Sequence, residues 1–232
     1  MNANSMLAEP FALHQYIVPL SCNYLLLIPE KLGSDTLGVI ALHGYGSNAA
    51  DMLRLTAMAV GRDHVIAALQ APNQHYADRP GVDAPAAYNW GIRQHWEDSI
   101  GMHHAMVKAV AGEVGGKFGF GPQRMVLMGF SQPVGLNYRF AGTQPEIFGG
   151  VIGICGGVPR DWEEPKYQAV RAAVLHISRD ADEFYPVALA QEFPARLRAH
   201  AADVEFHMLP GGHRFPSKAA GIVRPWLGRV FR

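Results

Sequence analysis

The sequence has few cysteines, no surplus of either charge and no long apolar run. Its 232 residues contain two cysteines, Cys22 and Cys155, which are too few for a disulfide framework. We interpret them as buried, reduced thiols of a cytoplasmic protein. The 20 basic and 20 acidic side chains cancel, so the composition gives no reason to expect a nucleic acid or an anionic membrane surface as a partner.

The sequence also lacks the patterns that are typical of membrane-spanning helices and signal peptides. No apolar run approaches the roughly 20 residues that a membrane-spanning helix needs, and the opening residues lack the basic-then-apolar order of a signal peptide. We therefore expect no insertion into a membrane. No linker rich in Gly, Ser or Pro and no internal repeat divides the chain, which favours one domain over residues 1–232.

Short apolar segments alternate with segments of helical period along most of the chain. Apolar runs without polar alternation are typical of parallel strands that are buried on both faces. Such strands, separated by helices, predict an α/β fold with a mainly parallel central sheet and helices on both of its faces. The predicted strands are 37–42, 64–69, 125–128, 148–155, 172–177 and 204–209, and the predicted helices are 49–60, 100–114, 132–141, 186–200 and 216–223.

Several other segments carry particular predictions. Residues 11–21 and 23–28 are rich in β-forming residues and predict an opening antiparallel hairpin. Residues 73–94 show neither period, and because loops of that length are usually functional, their aromatic side chains favour a packed, pocket-forming loop. We expect Gly115 and Gly116 to end the helix that precedes them, and Pro225 to break or kink the closing helix.

A strand-to-helix turn at Gly129-Phe130-Ser131 is the feature around which the chain is organised. It follows the predicted strand 125–128 and precedes a predicted helix, so the Ser131 hydroxyl would project above the sheet edge. The pattern is that of a nucleophile elbow, Gly-x-Ser-x-Gly, with Pro133 in place of the last glycine. Alternatively, Ser131 is only the N-cap of the helix, a role that needs no catalysis.

Reactive residue types follow several of the predicted strands. In parallel sheets, ligands collect at the carboxyl ends of the strands. Ser131, Asp180 or Asp182, and His213 occur in the order serine, aspartate, histidine, which is the order of α/β-hydrolases. A neutral imidazole can take the serine proton, and a carboxylate can fix the tautomer of that imidazole. His213 stands on a Gly-Gly turn, where it is free to reach over a strand end.

The residues alone leave two roles open. Either Asp180 or Asp182 could orient the imidazole, and the other could cap the following turn. The turn His43-Gly-Tyr-Gly46 offers backbone N–H groups that, with the N–H of Gln132, would form an oxyanion hole. The alternative is an ordinary strand-to-helix turn in which His43 makes a structural hydrogen bond.

We predict neither a metal nor a cofactor. The histidines do not occur at spacings typical of metal ligands. His103 and His104 are adjacent on a predicted helix, so we expect their side chains to point apart.

Four motifs resemble the phospholipase/carboxylesterase family of α/β-hydrolases, which includes acyl-protein thioesterases and small bacterial carboxylesterases. The motifs are Leu42-His-Gly-Tyr-Gly46, Gly129-Phe-Ser-Gln132, Asp182-Glu-Phe-Tyr-Pro186 and Gly211-Gly-His213. The resemblance implies that Ser131 is the nucleophile, that His213 is the base, and that the amides of Tyr45 and Gln132 are the oxyanion donors. The family's aspartate precedes a proline by four positions, so the resemblance selects Asp182.

No stretch is long enough to form a separate cap domain, and we expect a serine hydrolase of the α/β-hydrolase fold that acts on carboxylic esters of small to medium acyl groups. A thioesterase or lysophospholipase would use the same residues. From another class, the chain could be a hydrolase-fold binding module that Pro133 has disabled. We expect a small-molecule ester as the partner, make no prediction of oligomeric state, and expect a substrate pocket lined by Tyr88, Trp90, Phe130 and Tyr185.

Overall fold

The computed structural model describes residues 12, 14–78, 81 and 83–232. The strands in this part of the chain are β1 (Tyr24–Leu27), β2 (Gly38–Leu42), β3 (Val65–Leu69), β4 (Asn73–Tyr76), β5 (Ala86–Asn89), β6 (Met125–Phe130), β7 (Gly150–Ile154), β8 (Ala173–Arg179) and β9 (Val204–Leu209). The helices are α1 (Ala49–Val60), α2 (Trp96–Phe118), α3 (Val134–Thr143), α4 (Val187–Ala190), α5 (Phe193–His200) and α6 (Ala220–Val230).

A central sheet of seven strands runs in the order β1-β3-β2-β6-β7-β8-β9. β1 is antiparallel to β3, and the other neighbours are parallel. α1 and α6 pack on one face of the sheet, and α2, α3 and α5 pack on the other. Because helices cover both faces, β2, β3 and β7 are buried at every position, which explains their unbroken apolar runs. The predicted α/β fold is confirmed.

The prediction of an opening hairpin is wrong. Residues 14–23 form no strand, and Phe11 and Leu13 lie outside the described residues. β1 instead pairs with β3, with Tyr24 opposite Leu69 and Leu27 opposite Ile66. A buried apolar strand with a free side offers β1 more apolar contact than a neighbouring exposed segment does, so the distant pairing is favoured.

The prediction that residues 73–94 lack regular structure is also wrong. β4 and β5 form an antiparallel hairpin within this segment, with Asn73 opposite Asn89 and Tyr76 opposite Ala86. Most of the paired residues are polar or small, and residues of those types seldom form strands. The hairpin therefore leaves no alternation of apolar and polar residues in the sequence.

Three predicted helix ends need correction. α2 continues through Gly115 and Gly116 to Phe118, and it is capped by Gly119, which has the left-handed conformation (φ 70°) that favours glycine. The predicted helix 186–200 is two helices, α4 and α5, and Pro194 lies in the first turn of α5, where a proline is tolerated. Pro225 lies inside α6, which continues to Val230. In the part of the chain that is described, no helix combines the length and the apolar character needed to cross a membrane.

The two cysteines lie in different environments. Both are free thiols; Cys155 is buried, whereas Cys22 is exposed. The prediction of two buried thiols is therefore wrong for Cys22. Its position before β1, outside the covered faces of the sheet, explains the exposure.

His176 is enclosed in the core as a neutral side chain. It lies on β8, and its ring nitrogens make hydrogen bonds with the Tyr138 hydroxyl (2.7 Å) and the Ser178 hydroxyl (3.1 Å). Burial lowers the pKa of His176 to about 3, because a charged imidazole would lose its hydration there.

His103 is buried between α2 and α3. Its Nε2 atom donates to Oδ1 of Asn137 (3.0 Å), and its Nδ1 atom is 3.3 Å from Nδ1 of His104. The expectation that the two histidines point apart is therefore wrong, because both rings fold toward α3. Burial, with a smaller contribution from His104, lowers the pKa of His103 to about 3.

These two histidines predict that the protein loses stability as the pH falls below neutrality. The unfolded chain binds protons near pH 6.5 and the folded chain near pH 3, so the free energy of unfolding falls between those values. Between about pH 7.5 and about pH 5, we expect a loss of about 2 kcal/mol from each histidine, measured by urea unfolding. His14→Gln, a change at an exposed histidine, should show the same loss. Equal free energies of unfolding at both pH values would contradict the prediction.

Candidate active site

Ser131 occupies the sharp turn between β6 and α3. Its φ of +63° lies in the left-handed region, which serine rarely adopts. The Ser131 amide donates to the carbonyl of Ile154 on β7 (2.8 Å), which ties the turn to the neighbouring strand. Gly129 is needed here, because a Cβ atom at that position would lie 2.6 Å from Nδ2 of Asn137 on α3. The structure thus has the turn that the sequence predicts.

Pro133 fits the elbow without distortion. Its φ of −75° and ψ of −10° are helical values and lie within the range that the proline ring permits. It precedes Val134, the first residue of α3, so its missing N–H would have had no partner within the helix. Its carbonyl accepts a hydrogen bond from the Asn137 amide (2.8 Å). Proline at this position therefore continues smoothly into the helix.

Ser131, His213 and Asp182 are joined by hydrogen bonds. The Ser131 Oγ atom is 2.7 Å from Nε2 of His213, and Nδ1 of His213 is 2.8 Å from Oδ2 of Asp182. The other oxygen of Asp182 accepts hydrogen bonds from the amides of Phe184 and Tyr185, both at 2.9 Å. Asp182 is only 3% exposed. Because a carboxylate can only accept a hydrogen bond, the imidazole proton lies on Nδ1 of His213. Its Nε2 atom is then free to accept the serine proton.

Acidic side chains after β8 hold the turn that carries His213. Asp180 accepts a hydrogen bond from the Gly211 amide (2.8 Å), and Glu183 accepts one from the His213 amide (3.0 Å). Asp180 therefore contacts the backbone of the turn, whereas Asp182 contacts the imidazole. The two aspartates that the sequence could not separate have different partners.

Arg179 completes the support of the same turn. Its guanidinium donates to the carbonyls of Pro210 and Arg214, at 3.1 Å from Nε and from Nη1 respectively. Gly211 has a φ of +117°, and a Cβ atom there would lie 1.9 Å from the Arg179 guanidinium. The positive φ favours glycine at this position, and a Cβ atom there would displace the arginine from the turn.

The Tyr45 and Gln132 amides lie on two different turns beside Ser131. Tyr45 belongs to the turn after β2, and Gln132 follows Ser131 directly. Among the described residues, neither N–H donates a hydrogen bond to another group of the chain. Free N–H groups of this kind can bind a developing negative charge.

A cavity of about 660 Å³ opens onto Ser131 and His213. Its lining residues are Tyr45, Trp96, Ser131, Gln132, Gly135, Arg139, Gly157, Val158, Pro159, Arg160, Phe184, Tyr185 and His213. Of the predicted pocket residues, only Tyr185 is in this set. Phe184 is not among the predicted pocket residues, although it directly precedes Tyr185 in the turn at Asp182.

The other three predicted pocket residues lie elsewhere. Trp90 is 1% exposed and donates from its indole N–H to the carbonyl of His43 (2.7 Å), so it belongs to the core. Tyr88 lines a separate groove beside β1. Phe130 stacks on the His213 ring, with 5.5 Å between ring centroids, and therefore lies behind the imidazole. The Phe130 side chain therefore restrains the imidazole of His213 and does not line the cavity.

Potential metal-binding side chains do not form a cluster in the described part of the chain. No three His, Cys, Asp or Glu side chains there are arranged so that they could hold a metal ion.

Comparison with known proteins gives a family and a fold. The model of the family described as Phospholipase/Carboxylesterase matches residues 27–227. Similar solved structures include a carboxylesterase from Mesorhizobium loti, with 22% identity, a TM-score of 0.72 and coverage of 91% of this chain and 97% of that one. A Bacillus cereus carboxylesterase has 15% identity, a TM-score of 0.69 and coverage of 90% and 95%. Arabidopsis thaliana SOBER1 has 17% identity, a TM-score of 0.66 and coverage of 85% and 100%. No curated protein sequence matches the chain.

Replacing Pro133 tests whether proline at this position lowers the reactivity of Ser131. Because its backbone angles are already helical, Pro133→Gly should change the rate at which a fluorophosphonate labels Ser131 by less than about tenfold. The free energy of unfolding should fall by about 1 kcal/mol, because glycine gives the unfolded chain more freedom. Labelling kinetics and urea unfolding measure the two effects. A labelling rate a hundredfold higher in the variant would mean that proline misaligns the site.

Proposed function

The chain belongs to the phospholipase/carboxylesterase family, and we propose that it is a serine hydrolase that cleaves carboxylic esters through an acyl-enzyme intermediate. The observation that carries this proposal is the continuous hydrogen bonding from Asp182 through His213 to the Ser131 hydroxyl. A serine hydroxyl alone is a weak nucleophile, and an imidazole of fixed tautomer is the group that activates it.

In the proposed reaction, Ser131 Oγ attacks the carbonyl carbon of the ester while Nε2 of His213 takes the hydroxyl proton. Asp182 stabilises the imidazolium that forms. The amides of Tyr45 and Gln132 donate to the oxygen that becomes negative. His213 then returns its proton to the departing alkoxide, which leaves the acyl group on Ser131. A water molecule, deprotonated by His213, attacks this acyl-enzyme; the bond from the acyl carbon to Ser131 Oγ then breaks, His213 returns the proton to Oγ, and the acid is released.

The cavity supports a substrate of small to medium size. Trp96, Phe184 and Tyr185 give it an aromatic lining beside Ser131, and its volume of about 660 Å³ is within the range of sites for small molecules. The unstrained Pro133 and the short bond from Ser131 to His213 support an active enzyme over a disabled binding module. A panel of p-nitrophenyl esters of increasing chain length, with thioesters of the same acids, would define the preferred acyl group and bond.

Removing the nucleophile should abolish the reaction. Ser131→Ala is expected to lower the turnover of a p-nitrophenyl ester by at least ~10³-fold and to prevent labelling by a fluorophosphonate, because the three side chains act together. Ser34→Ala, a change at an exposed serine, should keep both activities. Ordinary turnover by a folded Ser131→Ala protein would refute the proposed function.

The two aspartates should differ sharply in their effect on turnover. Asp182→Asn should lower kcat by about 10⁴-fold, as in a serine protease, because the amide favours the wrong imidazole tautomer. Asp180→Asn should cost less than about tenfold, because the asparagine Oδ1 can accept the same bond from the Gly211 amide. Steady-state kinetics on both variants show which aspartate orients the imidazole. A larger loss in Asp180→Asn would reverse the assignment.

A further inference from the structure

The segment 88–91, here called the bridging segment, joins the end of β5 to the loop before α2. It makes two hydrogen bonds to the turn that carries Tyr45. The Gly46 amide donates to the carbonyl of Tyr88 (2.9 Å), and the Trp90 indole N–H donates to the carbonyl of His43 (2.7 Å). The turn after β2 is therefore attached to the bridging segment on both sides of Tyr45.

The bridging segment makes two more hydrogen bonds to the side chain of Gln132. The Gln132 Oε1 atom accepts from the Trp90 amide (2.9 Å), and its Nε2 atom donates to the carbonyl of Gly91 (2.7 Å). Both ends of one carboxamide are thus bound to adjacent backbone groups. The same segment consequently holds the two turns that carry the proposed oxyanion donors.

Hydrogen bonds also fix the direction of the Tyr45 N–H. The Ala71 amide donates to Nε2 of His43 (3.1 Å), which assigns the imidazole proton to Nδ1. Nδ1 then donates to the carbonyl of Gly44 (2.7 Å). This carbonyl and the Tyr45 N–H belong to one planar peptide and point in opposite directions. Holding the carbonyl therefore aims the N–H.

The elbow is fixed in the same manner. The Val134 amide donates to the carbonyl of Ser131 (3.2 Å), and that carbonyl shares a peptide plane with the Gln132 N–H. The direction of each donor is thus set within its own turn. The pairing of β2 with β6, which ends with Leu42 opposite Gly129, brings the two turns side by side, and the bridging segment joins them beyond that last pair.

The bridging segment is itself held in place by its surroundings. The Trp90 ring packs against His43 and His103, with ring centroids 5.5 and 5.6 Å away. Gly91 has a φ of +132°, and a Cβ atom there would lie 2.2 Å from Oγ of Ser99. The backbone to which Gln132 binds is therefore packed closely against α2.

We propose that the Gln132 side chain and the bridging segment are positioning elements that set the separation of the two oxyanion donors. The inference rests on the proposed function, since it assumes that the Tyr45 and Gln132 amides bind the oxyanion. Donors contribute only when they meet the oxygen of the transition state, and losing one costs about 10²–10³-fold in rate. Loosening one turn without removing its donor should cost about 10-fold to 100-fold.

Gln132→Met is the sharpest test, because methionine keeps the length of the side chain and the backbone amide but cannot make either hydrogen bond. For a p-nitrophenyl ester, we expect kcat to fall by about 10-fold to 100-fold with KM changed by less than about threefold. The affinity for a trifluoromethyl ketone, which forms an oxyanion on Ser131, should fall in proportion to kcat. The inhibition constant of the carboxylic acid product should stay the same, because the product carries no such oxyanion.

Two further variants complete the test. Trp90→Phe removes the indole hydrogen bond to the His43 carbonyl and should also lower kcat and ketone affinity together. Gln123→Met is the matched control, because Gln123 is exposed just before β6, at the end of that strand opposite to Ser131. Its kcat should stay within about threefold of wild type. Urea unfolding of each variant verifies that the folded protein is being measured.

Two results would overturn the inference while leaving the proposed function intact. One is a Gln132→Met protein with wild-type kcat. The other is a fall in kcat without any loss of ketone affinity, which would show that the oxyanion contacts are unaffected. A wild-type protein that neither turns over esters nor reacts with a fluorophosphonate would refute the proposed function itself.

Discussion

Close packing of α3 against the sheet is the constraint on which the candidate site depends. A Cβ atom on Gly153 would come within 2.5 Å of the Tyr138 hydroxyl, and one on Gly156 within 2.3 Å of Cβ of Val134. The glycines let the helix and the strands approach each other, and this approach holds Ser131 at a positive φ that serine seldom adopts. The imidazole and the two amide-bearing turns are arranged around that one fixed hydroxyl.

The central strands were predictable because burial on both faces leaves an unbroken apolar run. The residues at their ends were predictable because an activated serine needs a base and a carboxylate, and parallel strands bring their carboxyl ends together. The β4–β5 hairpin was not predictable, since its polar and small residues carry no period. The partner of β1 was missed for another reason: pairing between distant strands leaves no mark in the local sequence.

The pocket was harder to predict than the reactive residues, because residue type does not state which way a side chain faces. The indole N–H of Trp90 finds a carbonyl acceptor inside the protein, and this draws the ring into the core. Phe184 and Tyr185 reach the cavity because their amides bind the carboxylate of Asp182. The contact of Gln132 with Trp90 spans 42 positions along the chain, and its existence follows only from the assembled fold.

The order of strands in the sheet also decides when the site can form. Ser131 and His213 are 82 positions apart, and they follow β6 and β9, two strands that are connected in the sheet only through β7 and β8. Parallel sheets of this kind join strands through long connections and assemble slowly, because those connections must close before the strands can pair. A partly assembled chain therefore holds its hydroxyl and imidazole apart. During refolding, a reaction that needs both the Ser131 hydroxyl and the His213 imidazole would therefore report the fraction of molecules whose sheet is complete.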